Sequence, residues 1–297
     1  MTAAGKPRLR LAATLWSLLH HPSKEREWTL ARKVAAVKKA GFEGVQAAYR
    51  PELYPLLEQH GLAYIGALDA SDPGQFARQV GELVAAKAVV ANAQIGDHDT
   101  PTAQAIQLAL AILAEAKRQG LRLQIETHRD TATETPEKFE AIAEGYEKIT
   151  GELLPVTWDH SHFAVVKHLR PDDFVPRLLA SPALVRRSRL IHCRPFNGHH
   201  CQVPVTDRRG QLTPEFRDWL VFAHALLAQW REGAAAGDEL WIVPEQGAAQ
   251  SGYNLTGFNR PWADAQVCAR EVRRLWSEQE PAGRHILAQR PQRAEPL

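Results

Sequence analysis

Eight times along this chain a short apolar run passes into a longer stretch with helical spacing, and this alternation limits the fold more than any other feature. The pairs are residues 9–17 with 25–40, 42–48 with 51–60, 62–68 with 73–86, and 88–95 with 102–119. They continue as 121–125 with 136–149, 153–159 with 163–169 and 172–179, 189–194 with 214–232, and 239–245 with 261–277. Gly41, Gly61 and Gly120 stand where helices should stop. Such alternation implies parallel strands joined by right-handed crossovers, and eight of them predict an α/β fold, a single (β/α)8 barrel. An open doubly wound sheet is the rival, but the first strand is followed by no GxGxxG and the chain holds no GxxxxGK[ST]. No linker rich in Pro, Gly or Ser divides the chain, so residues 1–280 read as one barrel domain. Residues 281–297, with three arginines and three prolines, read as a loose tail that either stays free or packs on a partner subunit.

In this fold the C-terminal strand tips converge on one face, where the site is expected. Four successive strands here end in metal-competent side chains. The fifth ends in Gln124-Ile125-Glu126-Thr127-His128, and alternation puts Gln124, Glu126 and His128 on one face. The sixth ends in Asp159-His160-Ser161-His162, the seventh in His192-Cys193-Arg194 and the eighth in Pro244-Glu245-Gln246-Gly247. Two glutamates, one aspartate and one histidine make a hard, oxygen-rich set suited to one divalent ion with open positions. Mn²⁺ is the first choice, with Mg²⁺, Co²⁺ or Zn²⁺ as alternatives. A substrate chelated through carbonyl and hydroxyl oxygens has an acidified C–H, and Glu126 and Glu245 can take that proton and return it. Arg194 shares the strand parity of His192 and should reach the bowl, to hold a phosphate, a carboxylate or an enolate oxygen.

Composition excludes several classes. A net charge of +2, from 36 basic and 34 acidic residues, gives no electrostatic case for nucleic acid. No run approaches the roughly 18 apolar residues of a membrane span. Lys6, Arg8 and Arg10 before residues 11–19 mimic a signal peptide, but no small-x-small site follows and the stretch reads as the first strand. Cys193, Cys201 and Cys268 form no CxxC, so reduced thiols in a cytoplasmic protein are expected. Cys193 should point away from the site and pack.

The ordered tips resemble the xylose isomerase-like (β/α)8 superfamily of sugar isomerases, epimerases and inosose dehydratases. The match is Glu at the fifth tip, Asp-x-x-His at the sixth, His at the seventh and Glu at the eighth, and Gly41-Phe42-Glu43-Gly44-Val45-Gln46 is similar to its second strand. The resemblance covers about residues 9–277. It implies that Glu126, Asp159, His192 and Glu245 are the metal ligands and that His162 contacts substrate. Gln46 stands where many relatives carry an acidic residue, and Arg194-Pro195-Phe196-Asn197 replaces an expected aspartate after the seventh-strand histidine. A neutral second strand and a cationic seventh tip suggest an unusual substrate, with Gln46 among its contacts.

Other residues admit two roles each. His128 is a second acid/base or a supporting histidine. Asn92 and Gln94 bind substrate hydroxyls or form a satisfied core network. Trp16 stacks on a sugar ring or packs in the core, and His199 and His200 are solvated or close over substrate. The leading expectation is a metal-dependent isomerase or epimerase of a sugar or hydroxy-ketone, and a lyase using the same proton abstraction is the runner-up. Phosphodiester hydrolysis and non-catalytic sugar binding rank below them. The expected partners are a small sugar-like molecule and, as an open alternative to a monomer, a second copy of the chain.

Overall fold

The computed structural model describes residues 6–248, 253 and 260–279. Its eight parallel strands close in chain order. They are β1 (Arg8–Thr14), β2 (Gly44–Ala48), β3 (Ala63–Asp69), β4 (Val90–Gln94), β5 (Leu123–Glu126), β6 (Val156–Asp159), β7 (Leu190–His192) and β8 (Glu239–Val243). The helices outside them are α1 (Leu30–Lys39), α2 (Leu53–His60), α3 (Phe76–Ala85), α4 (Thr102–Gln119), α5 (Pro136–Thr150), α6 (His160–Val166), α7 (Pro171–Leu178), α8 (Pro182–Arg187), α9 (Pro214–Glu232) and α10 (Pro261–Glu278). None of the described helices is long and apolar enough to cross a membrane.

Local chemistry sets the element ends. Thr135 and Thr213 accept hydrogen bonds from Lys138 N and Phe216 N, and each precedes a proline and a glutamate in the first turn. Gly61, Gly120 and Gly151 close α2, α4 and α5 in the left-handed conformation. On α4, Ala105, Leu108, Ala109, Ile112, Leu113 and Ala116 fall on one face and are buried against the sheet.

Two apolar regions result from strand alternation. A large mantle lies between sheet and helices. A smaller cluster of Ala12, Ile65, Val90, Leu190, Trp241 and Val243 fills the barrel itself. The Trp241 indole needs Gly44 opposite it: a Cβ there would lie 2.9 Å from the indole and 2.7 Å from Ile65 Cδ1. Above this plug the inward side chains turn polar, and Gln46, Asn92, Glu126, Asp159 and His192 form a buried layer at the strand tips.

The predicted elements are all present, with shifted ends. The first strand stops at Thr14, whose hydroxyl accepts from Trp16 N and starts a 3-10 turn over Leu15–Leu18. The helix expected from residue 25 starts at Leu30, because Thr29 caps it, while Lys24–Arg26 is a separate turn. The six-residue α8 was not anticipated; it is too short to show a periodic face. Residues 281–297, expected to be a tail, lie outside the described residues.

Candidate metal centre and active site

Each strand of the second half of the barrel delivers one functional group. Glu126 and Asp159 end β5 and β6, Asp159 is in register with His192 of β7, and His192 is in register with Val243, two residues before Glu245. Pairing continues past β7, with Cys193 N donating to Val243 O and Glu245 N to Cys193 O, so strand parity carries Arg194 inward as well. One ligand atom from each of Glu126, Asp159, His192 and Glu245 lies within 4.8 Å of the others.

These atoms crowd together without bonding to one another. His192 Nδ1 is 2.8 Å from Glu126 Oε1 and 3.2 Å from Glu245 Oε2, yet it has no hydrogen bond of acceptable geometry. Asp159 Oδ2 lies 3.1 Å from Arg194 Nη2 and 3.3 Å from His162 Nε2, and it too lacks a hydrogen bond. Buried polar atoms left in this state cost free energy unless something between them completes the set. Three carboxylates against the one guanidinium of Arg194 leave two negative charges. A divalent cation held by Glu126, Asp159, His192 and Glu245 would neutralise both, and the oxygen-rich donor set suits a hard ion.

The electrostatics agree. Burial works against charge on every member, and the partners overcome it. Burial would raise the Asp159 carboxyl, but Arg194, His162 and His192 hold it well below the usual range. Glu126 and Glu245 are likewise held low, by His192 for the first and by Arg194 and His192 for the second. The two glutamates in turn hold the His192 imidazole well above its ordinary value.

A chain of amides braces this centre. Asn92 Nδ2 and Gln94 Nε2 donate to Glu126 Oε2 at 2.6 and 3.0 Å. Gln46 Nε2 donates to Asn92 Oδ1 at 2.9 Å and stands 2.6 Å from His192 Nε2. The amides of Asn92, Gln94 and Gln46 are therefore engaged with the ligand side chains, the network reading of these residues. They fix the orientation of Glu126 and His192 as outer hydrogen-bond partners of a metal site do.

Above the centre lies a bowl. Arg194 is only 1% exposed; its Nη2 donates to Glu245 Oε2 at 2.7 Å, while Nε and Nη1 have no acceptor among the described residues. The guanidinium carbon sits 5.3 Å from the Trp16 ring and 4.5 Å from the Tyr253 ring, and those rings meet edge to face at 5.0 Å. Gly247 makes room for this wall, since a Cβ there would fall 2.3 Å from the Trp16 indole. The His128 ring packs at 4.4 Å on His162, and its Nε2 is 3.5 Å from the Tyr253 hydroxyl, which accepts from Arg129 Nε at 2.6 Å. Burial lowers the His162 pKa although Asp159 pulls the other way.

The structure thus brings together Glu126, Asp159, His192, Glu245, Arg194, His162, His128, Trp16, Asn92, Gln94 and Gln46. His199 and His200 are exposed, with their backbone N–H groups bonded to Asn197 Oδ1. Cys193 is buried, and burial pushes its thiol up. His160 faces away from the bowl, stacked on Trp158 at 4.9 Å. Sequence reasoning missed Tyr253 and gave Arg129 no role. Only the general rule that barrel loops supply site residues pointed to them, because a tyrosine in a long polar segment has no period to betray it.

The class defined by fold and site is a (β/α)8 barrel with a buried carboxylate–histidine cluster at its C-terminal tips. No protein-family model matches the chain, and no curated protein matches it in sequence. Solved structures do resemble it. L-ribulose 3-epimerase matches at 14% identity and a TM-score of 0.61, over 94% of this chain and 100% of that one. D-allulose 3-epimerase from Methylomonas sp. matches at 15% and 0.60, over 93% and 99%. A probable 3-DHS dehydratase from Bacillus anthracis matches at 13% and 0.56, over 88% and 98%. At these identities the likeness is one of fold, a (β/α)8 barrel shared over most of both chains.

Proposed function

We propose that the chain is a divalent-metal-dependent isomerase or epimerase of a sugar or related hydroxy-ketone. The observation that carries this reading is the convergence of Glu126, Asp159, His192 and Glu245 within 4.8 Å beneath a bowl walled by Trp16 and Arg194. A bound divalent ion would supply Lewis acidity, polarising a substrate carbonyl and stabilising the negative oxygens of an enediolate. The protein does the rest. One of Glu126 and Glu245 takes the proton from the carbon beside the carbonyl, and the C–H electron pair moves into the enediolate. The other returns a proton, to the opposite face of that carbon in epimerisation or to its neighbour in isomerisation. Asn92 and Gln94 hold Glu126 in place, and Arg194 holds Glu245. The free Nε and Nη1 of Arg194 would donate to substrate oxygen, with Gln46 and His162 below and beside it.

Elimination is the second reading, favoured by one observation. His128 joins His162 and Tyr253 at 4.4 Å and 3.5 Å, and on this reading it would be the extra acid that a departing hydroxyl or alkoxide needs. The similarity in fold to a probable dehydratase points the same way. A small sugar-like substrate and a cytoplasmic setting complete the proposal.

The test is turnover of a panel of ketoses, aldoses and keto-glycosides in deuterium oxide with Mn²⁺. Isomerisation or epimerisation should place solvent deuterium at the reacting carbon. Elimination should instead lose water or an aglycone and generate enone absorbance. Turnover with neither solvent deuterium in the product nor enone formation would remove both readings, leaving a hydride shift or hydrolysis.

A further inference from the structure

At the end of the barrel opposite the metal-competent cluster, the strand starts surround a cavity of about 520 Å³. Its size is that of a small-molecule site, roughly 300–1,000 Å³. Arg122, Gln124, Arg187, Arg189, Asp238 and Glu239 line it. The acids are already paired: Asp238 lies 3.1 Å from Arg189 Nη2, and Glu239 accepts from Arg10 Nε and Nη2 at 3.0 and 2.8 Å. Arg189 is thereby matched as well. The side chains of Arg122 and Arg187 are exposed at the rim and form no ion pair or hydrogen bond among the described residues. Burial depresses the Arg189 guanidinium, and the charges of Arg122 and Arg187 depress it further against the pull of Asp238. At the floor, Gln124 is 2% exposed; its Oε1 accepts from Arg189 N at 3.2 Å, leaving its amide N–H groups without a partner among the described residues. Two unmatched guanidiniums over a free amide donor form a cradle for two negative charges.

We propose that this cavity binds a small dianion, a phosphoryl or dicarboxylate group, held by Arg122, Arg187 and the Gln124 amide. The site is independent of the chemistry proposed for the other end of the barrel. The experiment is isothermal titration of the full chain with inorganic phosphate, pyrophosphate and malonate at constant ionic strength. Saturable binding of at least one anion is expected, weakened ten-fold or more in both Arg122→Gln and Arg187→Gln. Preference for phosphate or pyrophosphate over malonate would assign a phosphoryl ligand, and the reverse a dicarboxylate. Heats that never saturate, or affinity unchanged in both arginine variants, would each overturn the proposal. The two rim arginines are exposed, so their replacement leaves the fold intact.

Discussion

Arg194 Nη2 donates to Glu245 Oε2 at 2.7 Å, and the same nitrogen lies 3.1 Å from Asp159 Oδ2, so one buried guanidinium spans two of the four metal-competent groups. Its charge is needed whether or not a cation is bound, because three carboxylates share the space. The planar fork also leaves two N–H directions free for a ligand, which a lysine at this position would not offer.

Replacing this arginine should have two separable effects. Arg194→Ala leaves buried carboxylates uncompensated and should cost about 3–5 kcal/mol of stability in the metal-free protein, read by urea unfolding. Turnover should fall at least ten-fold, about 1.4 kcal/mol in the transition state. Metal content should be retained. Wild-type kinetics would show that the free N–H groups do not meet substrate.

Metal content itself tests the cluster. The purified protein is expected to carry one divalent ion per chain, and Asp159→Ala or His192→Ala should lose most of it by elemental analysis. Equal metal in both variants would remove the ligand assignment. Stripping the ion with a chelator should also lower the melting temperature, because binding to the folded state stabilises it.

The two glutamates differ in their bracing, and both should be required. Glu126→Gln and Glu245→Gln each keep an oxygen that can ligate but remove the carboxylate that moves a proton. Turnover should drop by several orders of magnitude while some metal remains. Near-normal rates in either variant would assign the proton to another group, with His128 the next to test.

Gly247→Ala probes the wall of the bowl. The added Cβ would meet the Trp16 indole at 2.3–2.8 Å, so the ring must shift. KM should rise several-fold with metal content unchanged. An unaltered KM would mean that Trp16 packs without touching substrate.

His160 gives a prediction in pH. Burial drives its pKa down to about 3, so the folded protein keeps it neutral. Between the ordinary histidine value near 6.5 and about 3, the unfolded chain binds a proton that the folded chain refuses, and stability falls as pH falls. This one residue should contribute about 1.4 kcal/mol per pH unit across that window. His160→Leu should flatten that part of the pH profile of urea midpoints. Parallel profiles for variant and wild type would refute the assignment.

Much of the architecture was legible in the sequence because a barrel repeats one unit, and each strand–helix pair carries its own period and stop. The ends were less legible. Thr29 outcompetes Glu25 as a helix start by capping chemistry that periodicity does not register. The metal-competent tips were legible because strand parity is rigid, and it held even past the last residue of β7 to place Arg194. The amides were not. Asn92 and Gln94 could have faced a substrate or a neighbour, and only the three-dimensional spacing shows them donating to Glu126. Tyr253 reaches the bowl from a loop, where no local rule fixes direction.

The Trp241 plug has a consequence for the molecule as a whole. Along β8 the inward side chains run Glu239, Trp241, Val243 and then Glu245 beyond its end, so that strand's rim acid and its metal-competent glutamate are about 20 Å apart with an indole between them. Gly44, which admits the indole, is the small residue on which that packing depends, and any side chain there would have to displace Trp241 or Ile65.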